Sequence, residues 1–218
     1  MLTRTLIVLF LLLTFDSTVD AQLVHKYGIK GGASISNIRI PNRASLFRST
    51  PFIPNENVTN PFAGIFLQSD LLESVPIQME VFYARMGASL TLTIPVTTEQ
   101  SPETPEYYVD YITEIGLHYI VAGLTANPGI SFGSTTVYAR IGPTINYLVT
   151  MTNLAEFKNT TNRCLLGYQI GLGVQFDSVM EHSLLIELTH ARNFDYFYKS
   201  YLGDYYNVSW FLTAGISI

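Results

Sequence analysis

The chain has 218 residues and a formal charge of -5 at pH 7; charged residues make up 13% of it, about half the share usual in soluble domains. The acidic balance argues against nucleic acid as a partner. A single cysteine, Cys164, excludes an internal disulfide, so the fold must be held by its core or by its backbone ladder.

Residues 1–21 read as a signal peptide. Arg4 precedes an apolar run from Leu6 to Phe15, and Val19-Asp20-Ala21 supplies the compact residues expected before a cut at Gln22. An uncleaved anchor is the alternative, but the run is short against the ~20 apolar residues that a spanning helix needs. Cleavage removes Arg4, Asp16 and Asp20, which leaves 11 basic and 15 acidic side chains, a charge of -4, and one domain over residues 22–218. Beyond Gln22 polar residues or glycine interrupt every apolar stretch, so any passage through a membrane must be made by strands.

Eight segments alternate with a period of two. The first, Lys26 to Ser36, sets Tyr27, Ile29, Ala33 and Ile35 against Gly28, Lys30, Gly32 and Ser34. The second, Pro61 to Ser69, opposes Ala63, Ile65 and Leu67 to Gly64, Phe66 and Gln68, and the third, from Val75 to about Leu90, opposes Met79, Val81 and Tyr83 to Gln78, Glu80 and Phe82. The fourth, about Tyr108 to Thr125, reads with Ile115, Leu117, Tyr119 and Val121 outward and Glu114, Gly116, His118 and Ile120 inward, and is followed by a turn at Ala126-Asn-Pro-Gly129. In the fifth, Thr135 to about Thr150, Tyr138, Arg140, Thr144 and Asn146 face inward, and Pro143 predicts a bulge or local break because it cannot donate to the ladder. The sixth, Arg163 to Phe176, has Gly167, Gln169, Gly171 and Gly173 inward; the seventh, His182 to Arg192, has Glu187 inward. The eighth, Val208 to Ile218, turns Trp210, Leu212 and Ile216 outward.

The connections after the second, fourth and sixth strands are short. Those after the others, Asn37 to Asn60, Thr93 to Tyr107, Met151 to Asn162 and Asn193 to Tyr206, are long and rich in Asn, Thr, Pro and Tyr. Tight turns at one end and long loops at the other define the expected fold: all-β, an eight-stranded antiparallel up-and-down transmembrane β-barrel in the bacterial outer membrane. Its lipid-facing band at mid-height would comprise Ile29, Ile65, Val81, Leu117, Ile145, Leu172, Ile186 and Leu212.

The segments Tyr27-Gly-Ile-Lys-Gly-Gly-Ala-Ser-Ile-Ser-Asn37, Gly116-Leu-His-Tyr119, Ile141-Gly-Pro-Thr-Ile-Asn-Tyr-Leu148, Gly167-Tyr-Gln-Ile-Gly-Leu-Gly-Val174 and the terminal Gly-Ile-Ser-Ile218 together resemble the PorT-type outer-membrane β-barrel family. Members of that family open with a Gly-x-Lys-Gly-Gly strand just after the signal peptide. The resemblance covers nearly the whole mature chain and rests on the order and spacing of its motifs. It implies a small barrel and transfers no catalytic residue.

On the inward faces Lys30, Glu80, Glu114, His118, Arg140 and Glu187 form the candidate site. An eight-stranded barrel is just wide enough for side chains to fill it, so these groups are expected to pair into a plug; a conductive path is the alternative. A lipid-modifying enzyme would need a serine beside a histidine and carboxylate, and Ser183 next to His182 faces the other way. No metal spacing is visible among His25, His182 and His190. Neither a catalytic residue nor a cofactor is expected. Asn57-Val-Thr59, Asn159-Thr-Thr161 and Asn207-Val-Ser209 match the glycosylation pattern and read as incidental. Aromatic residues near the long-loop ends, among them Tyr147, Tyr196, Phe197 and Tyr206, suit an interfacial girdle or a sugar-binding surface. The expected partners are outer-membrane lipid and an extracellular protein or glycan bound by a monomer through its long loops. A soluble lipocalin-like barrel holding a small apolar ligand is the competing reading.

Overall fold

The computed structural model describes residues 26–39, 53–72, 75–96, 107–152, 161–177, 182–200 and 203–217. The expected signal peptide lies outside them. Among the described residues are eleven strands: β1 (Lys26–Arg39), β2 (Ile53–Glu56), β3 (Val58–Leu72), β4 (Val75–Val96), β5 (Tyr107–Ala126), β6 (Gly129–Phe132), β7 (Thr135–Thr152), β8 (Cys164–Asp177), β9 (Ser183–Asn193), β10 (Tyr198–Ser200) and β11 (Gly203–Ser217). Eight of them, β1, β3, β4, β5, β7, β8, β9 and β11, follow one another antiparallel, and β1 pairs back onto β11 from Gly28↔Ser217 to Arg39↔Tyr206. The wall is therefore a closed eight-stranded antiparallel barrel, and closure removes the open edge that a sheet would otherwise present.

Alternation decides which residues fill the barrel. On β1, Lys30, Ser34 and Ser36 are buried while Tyr27, Ile29 and Ile35 are exposed; on β9, Leu185, Glu187 and Thr189 are buried while Leu184, Ile186 and Leu188 are exposed. The same parity holds on β3, β4, β7 and β8, as the sequence predicts. A row of Ile, Leu and Val thus covers the outside of the wall, where a soluble barrel would carry charge.

β5 departs from the expectation. Ile115, Leu117, Tyr119 and Val121 are buried inside the barrel, and Ile120 is exposed. The cause is register: Ala84, Met86 and Ala88 of β4 point inward and stand directly opposite Tyr119, Leu117 and Ile115, and opposed residues share a face. Leu117 accordingly leaves the expected lipid-facing band. The two small alanines give room that Tyr119 and Ile115 occupy. Across the next seam Val121 stands opposite the buried Asn146, which demands the same parity.

The turn after β5 is also longer than expected. Beyond Asn127 and Pro128 a small hairpin intervenes, with β6 pairing onto the start of β7 from Gly129↔Tyr138 to Phe132↔Thr135. Its two-residue tip begins at Gly133, whose φ of 64° suits glycine. Pro143 inserts no residue but does break the ladder locally: on the β5 side the pairing skips Gly142 and Pro143 between Ala126↔Ile141 and Gly123↔Thr144, which keep one offset, while β7 holds its register against β8 through Pro143↔Tyr168. The register shift lies higher, between His118↔Thr150 and Tyr119↔Leu148, where Val149 is the extra residue.

Candidate functional site: a buried ion quartet beneath an apolar seal

Four inward positions on four strands converge in the turn-side half of the barrel. Lys30 comes from β1, Glu80 from β4, Arg140 from β7 and Glu187 from β9, and each is almost wholly buried. Lys30 Nζ pairs with Glu80 Oε2 and lies 3.5 Å from Glu187 Oε2. Arg140 Nη2 lies 2.7 Å from Glu80 Oε1, and its Nη1 pairs with Glu187 Oε2. Two cations thus face two anions with each touching both of its opposites, which is how charges survive removal from water.

Neutral groups complete the network. Gln169 Nε2 donates to Glu80 Oε1 at 2.6 Å, Gln78 Nε2 to Glu80 Oε2 at 3.4 Å, and the Tyr138 hydroxyl to Glu187 Oε1 at 2.9 Å. Asn127 Nδ2 donates to Gln78 Oε1 at 3.0 Å. Lys30 Nζ also sits 5.7 Å from the centre of the Phe82 ring, within cation–π range. Of these partners Tyr138 was expected inward but not within the candidate site, and Asn127 was expected only as a turn residue. The signal for Tyr138 is its cross-strand partner Gly173, which leaves the space that the ring fills. A Cβ at Gly173 would fall 2.6 Å from the Tyr138 hydroxyl. Gly173→Ala should therefore cost ~1–3 kcal/mol, measured as the urea midpoint of the folded form, and should cost clearly less in a Tyr138→Ala background.

Two of the expected site residues lie elsewhere. Glu114 and His118 follow the corrected parity of β5 to the outer face of the wall. Arg85 Nη2 lies 2.6 Å from Glu114 Oε1, and His118 Nδ1 lies 2.5 Å from the Tyr83 hydroxyl. Charge belongs inside only where other charge meets it, and β5 offers apolar residues to the lumen instead.

Toward the long-loop end apolar side chains enter the interior in number, beside buried Ser36, Asn60, Asn146, Asn193 and Ser209. Phe62, Phe82 and Phe211 meet in a trio with ring centres 5.1 to 5.5 Å apart. Above them Met86, Ile115, Leu117, Leu148, Leu165 and Phe197 fill the lumen. This apolar half was not expected from the sequence, and neither was the burial of Phe197 within it. Asn207 is buried too, its Nδ2 beside the Met86 sulfur, so glycosylation there would require opening the wall.

At the short-turn end a mouth of about 500 Å³ remains, lined by Lys26, Gln68, Asn127, Thr136, Tyr138 and Asp177 among others. Asp177 Oδ1 accepts from Lys26 Nζ at 3.0 Å, Gln175 Nε2 at 2.8 Å and Ser183 Oγ at 2.5 Å. Ser183 is therefore held by an acid and a lysine, while His182 is exposed beside it. Among the described residues no three His, Cys, Asp or Glu side chains gather as metal ligands.

Fold and site together define a small closed barrel, greasy outside, with its lumen occupied by a neutralised ion cluster and an apolar seal. No family model and no curated protein matches the chain. Among solved structures it is similar to Ail, the attachment invasion locus protein of Yersinia pestis, at 12% identity over 88% of this chain and 98% of that one, with a TM-score of 0.40. Neisserial surface protein A is similar at 8% identity over 89% and 98%, with a TM-score of 0.47. The outer membrane protein OprG from Pseudomonas aeruginosa is similar at 10% identity over 90% and 97%, with a TM-score of 0.44.

Proposed function

We propose that this chain is a bacterial outer-membrane barrel with a sealed lumen that acts without catalysis, through binding at its long-loop end. The observation that carries the membrane placement is the outward face. Ile29, Ile65, Leu172, Leu188 and Leu212 are among its most exposed residues, on five different wall strands. Water would penalise such a belt, and bilayer hydrocarbon would not. What supports the sealed lumen is the stacking of the quartet beneath the phenylalanine trio, with nothing in the interior for a small apolar ligand to displace without breaking either layer. A lipocalin-like barrel would need the reverse, an open greasy inside and a polar outside. The reading includes membership of the PorT-type family, which the order of the glycine-rich motifs supports; the first of these motifs lies in β1, at the seam where the barrel closes.

Interaction then falls to the loops, whose length and content of amides and aromatics suit protein or glycan contact. All four long loops would be trimmed to tight turns in a protein confirmed to refold, and capture of immobilised glycans and extracellular-matrix proteins compared with the parent. Loss of capture is the expected result. Full capture after all four trims, or a steady single-channel conductance abolished by Glu80→Gln, would move the function into the lumen.

A further inference from the structure

Outward positions at the loop-side end of β9, β11 and β1 form a cluster that the sealed-barrel reading leaves without a task. His190, Trp210 and Ile35 lie side by side across these strands, and the His190 and Trp210 rings are 4.8 Å apart. One step nearer the loops Arg192 stands opposite Val208, and two steps nearer Arg39 stands opposite Tyr206. Two strand spacings across and two residues along separate the arginine backbones by about 12 Å, a span that two extended arginine side chains bridge.

Val208 reports how they lie. It shares its face with Trp210 and Leu212, which are 48% and 58% exposed, yet it is only 8% exposed itself. By register it lies between Asn37 of β1 and Arg192 of β9, with Arg39 one step further along β1, and arginine stems can pack along such apolar surface while the guanidinium stays in water. Among the described residues neither arginine is ion-paired, although both are exposed. Two neighbouring, unpaired arginines on a chain of net charge -5 offer a local anion site, not a generally basic surface.

We propose that Arg39 and Arg192 bind the phosphate of an outer-leaflet lipid headgroup, seated over Val208. Depth selects this ligand. Trp210 and His190 stand where an aromatic belt meets the interface; Arg192 lies one step nearer the loops, level with Tyr168, and Arg39 a step further, toward headgroup level. The planar guanidinium fork matches phosphate oxygens in pairs. The inference rests on the membrane placement proposed above.

The test separates the two. Wild type, Arg39→Gln, Arg192→Gln, the double variant and Arg163→Gln, an exposed arginine outside the cluster, are refolded in dodecyl maltoside and titrated with fluorescent phosphatidic acid. Each single cluster variant should weaken binding roughly fivefold and the double about 25-fold, from the usual contribution of one basic residue near a charged membrane surface. Arg163→Gln should match wild type, and Arg192→Lys should recover part of the loss. Inorganic phosphate competing as well as the lipid, a stronger preference for a sulfated oligosaccharide, or equal binding by the double variant would each overturn the site. Failure of wild type to insert into phosphatidylcholine nanodiscs would instead overturn the membrane placement.

Discussion

Arg140→Met should destabilise the barrel by ~3–5 kcal/mol, because it leaves Glu80 and Glu187 buried against a single ammonium. The loss is read from equilibrium unfolding in urea, with the heat-dependent gel shift as the measure of folded barrel. The number reflects an uncompensated charge more than the worth of the original pair. For that reason the set in which Lys30, Glu80, Arg140 and Glu187 are all replaced by neutral side chains of like volume should recover much of the stability. Pairwise cycles sharpen the expectation. Arg140 should couple to Glu80 and to Glu187, and should add independently with Glu114, within ~0.5 kcal/mol, because Glu114 lies on the outer face beside Arg85. Coupling to Glu114 with none to Glu187 would mean that the parity of β5 and the composition of the quartet are both wrong.

That contrast marks how far the sequence could be read. Around the quartet on β1, β3, β4, β7, β8 and β9 the two parities differ in kind, with Ile, Leu and Val on one side and mostly Gly, Gln, Ser or charge on the other, so the lumen face is legible there. Lys30, Glu80, Arg140 and Glu187 stood out as charges at inward parity on such strands. β5 gives no such signal. Ile115, Leu117, Tyr119 and Val121 compete with Ile120 and Leu124, so either face could be taken as the greasy one. Only the facing alanines of β4 and Asn146 of β7 decide it, and the links to both partners hide the register: one is a long hairpin, the other contains β6. Glu114 and His118 were carried into the candidate site by that single error. The apolar half of the lumen was hidden for a related reason, since Met86, Leu117 and Leu165 look the same in sequence whether they meet lipid or one another.

The outer face supplies the second large effect. On β8, Tyr168 and Phe176 bracket the outward residues Ile170, Leu172 and Val174. Eight residues of strand at ~3.4 Å each, tilted by ~40°, span about 20 Å, close to the apolar band of an outer-membrane barrel. Leu172 falls at the middle of that span and is 65% exposed. Leu172→Arg should therefore cost ~2–4 kcal/mol when the protein unfolds from phospholipid vesicles. In a water-soluble barrel the same change at an exposed position would stay within ~0.5 kcal/mol, so the magnitude itself separates the two media. Trp210, the single tryptophan and an outward residue of β11, provides the signal. Its emission should be quenched by lipids brominated on the acyl chain, most strongly by those brominated near the headgroup, as its place at the loop-side rim requires. A Leu172→Arg protein as stable as its parent, with Trp210 untouched by brominated lipid, would put this barrel in water and remove the ground for a lipid phosphate at Arg39 and Arg192.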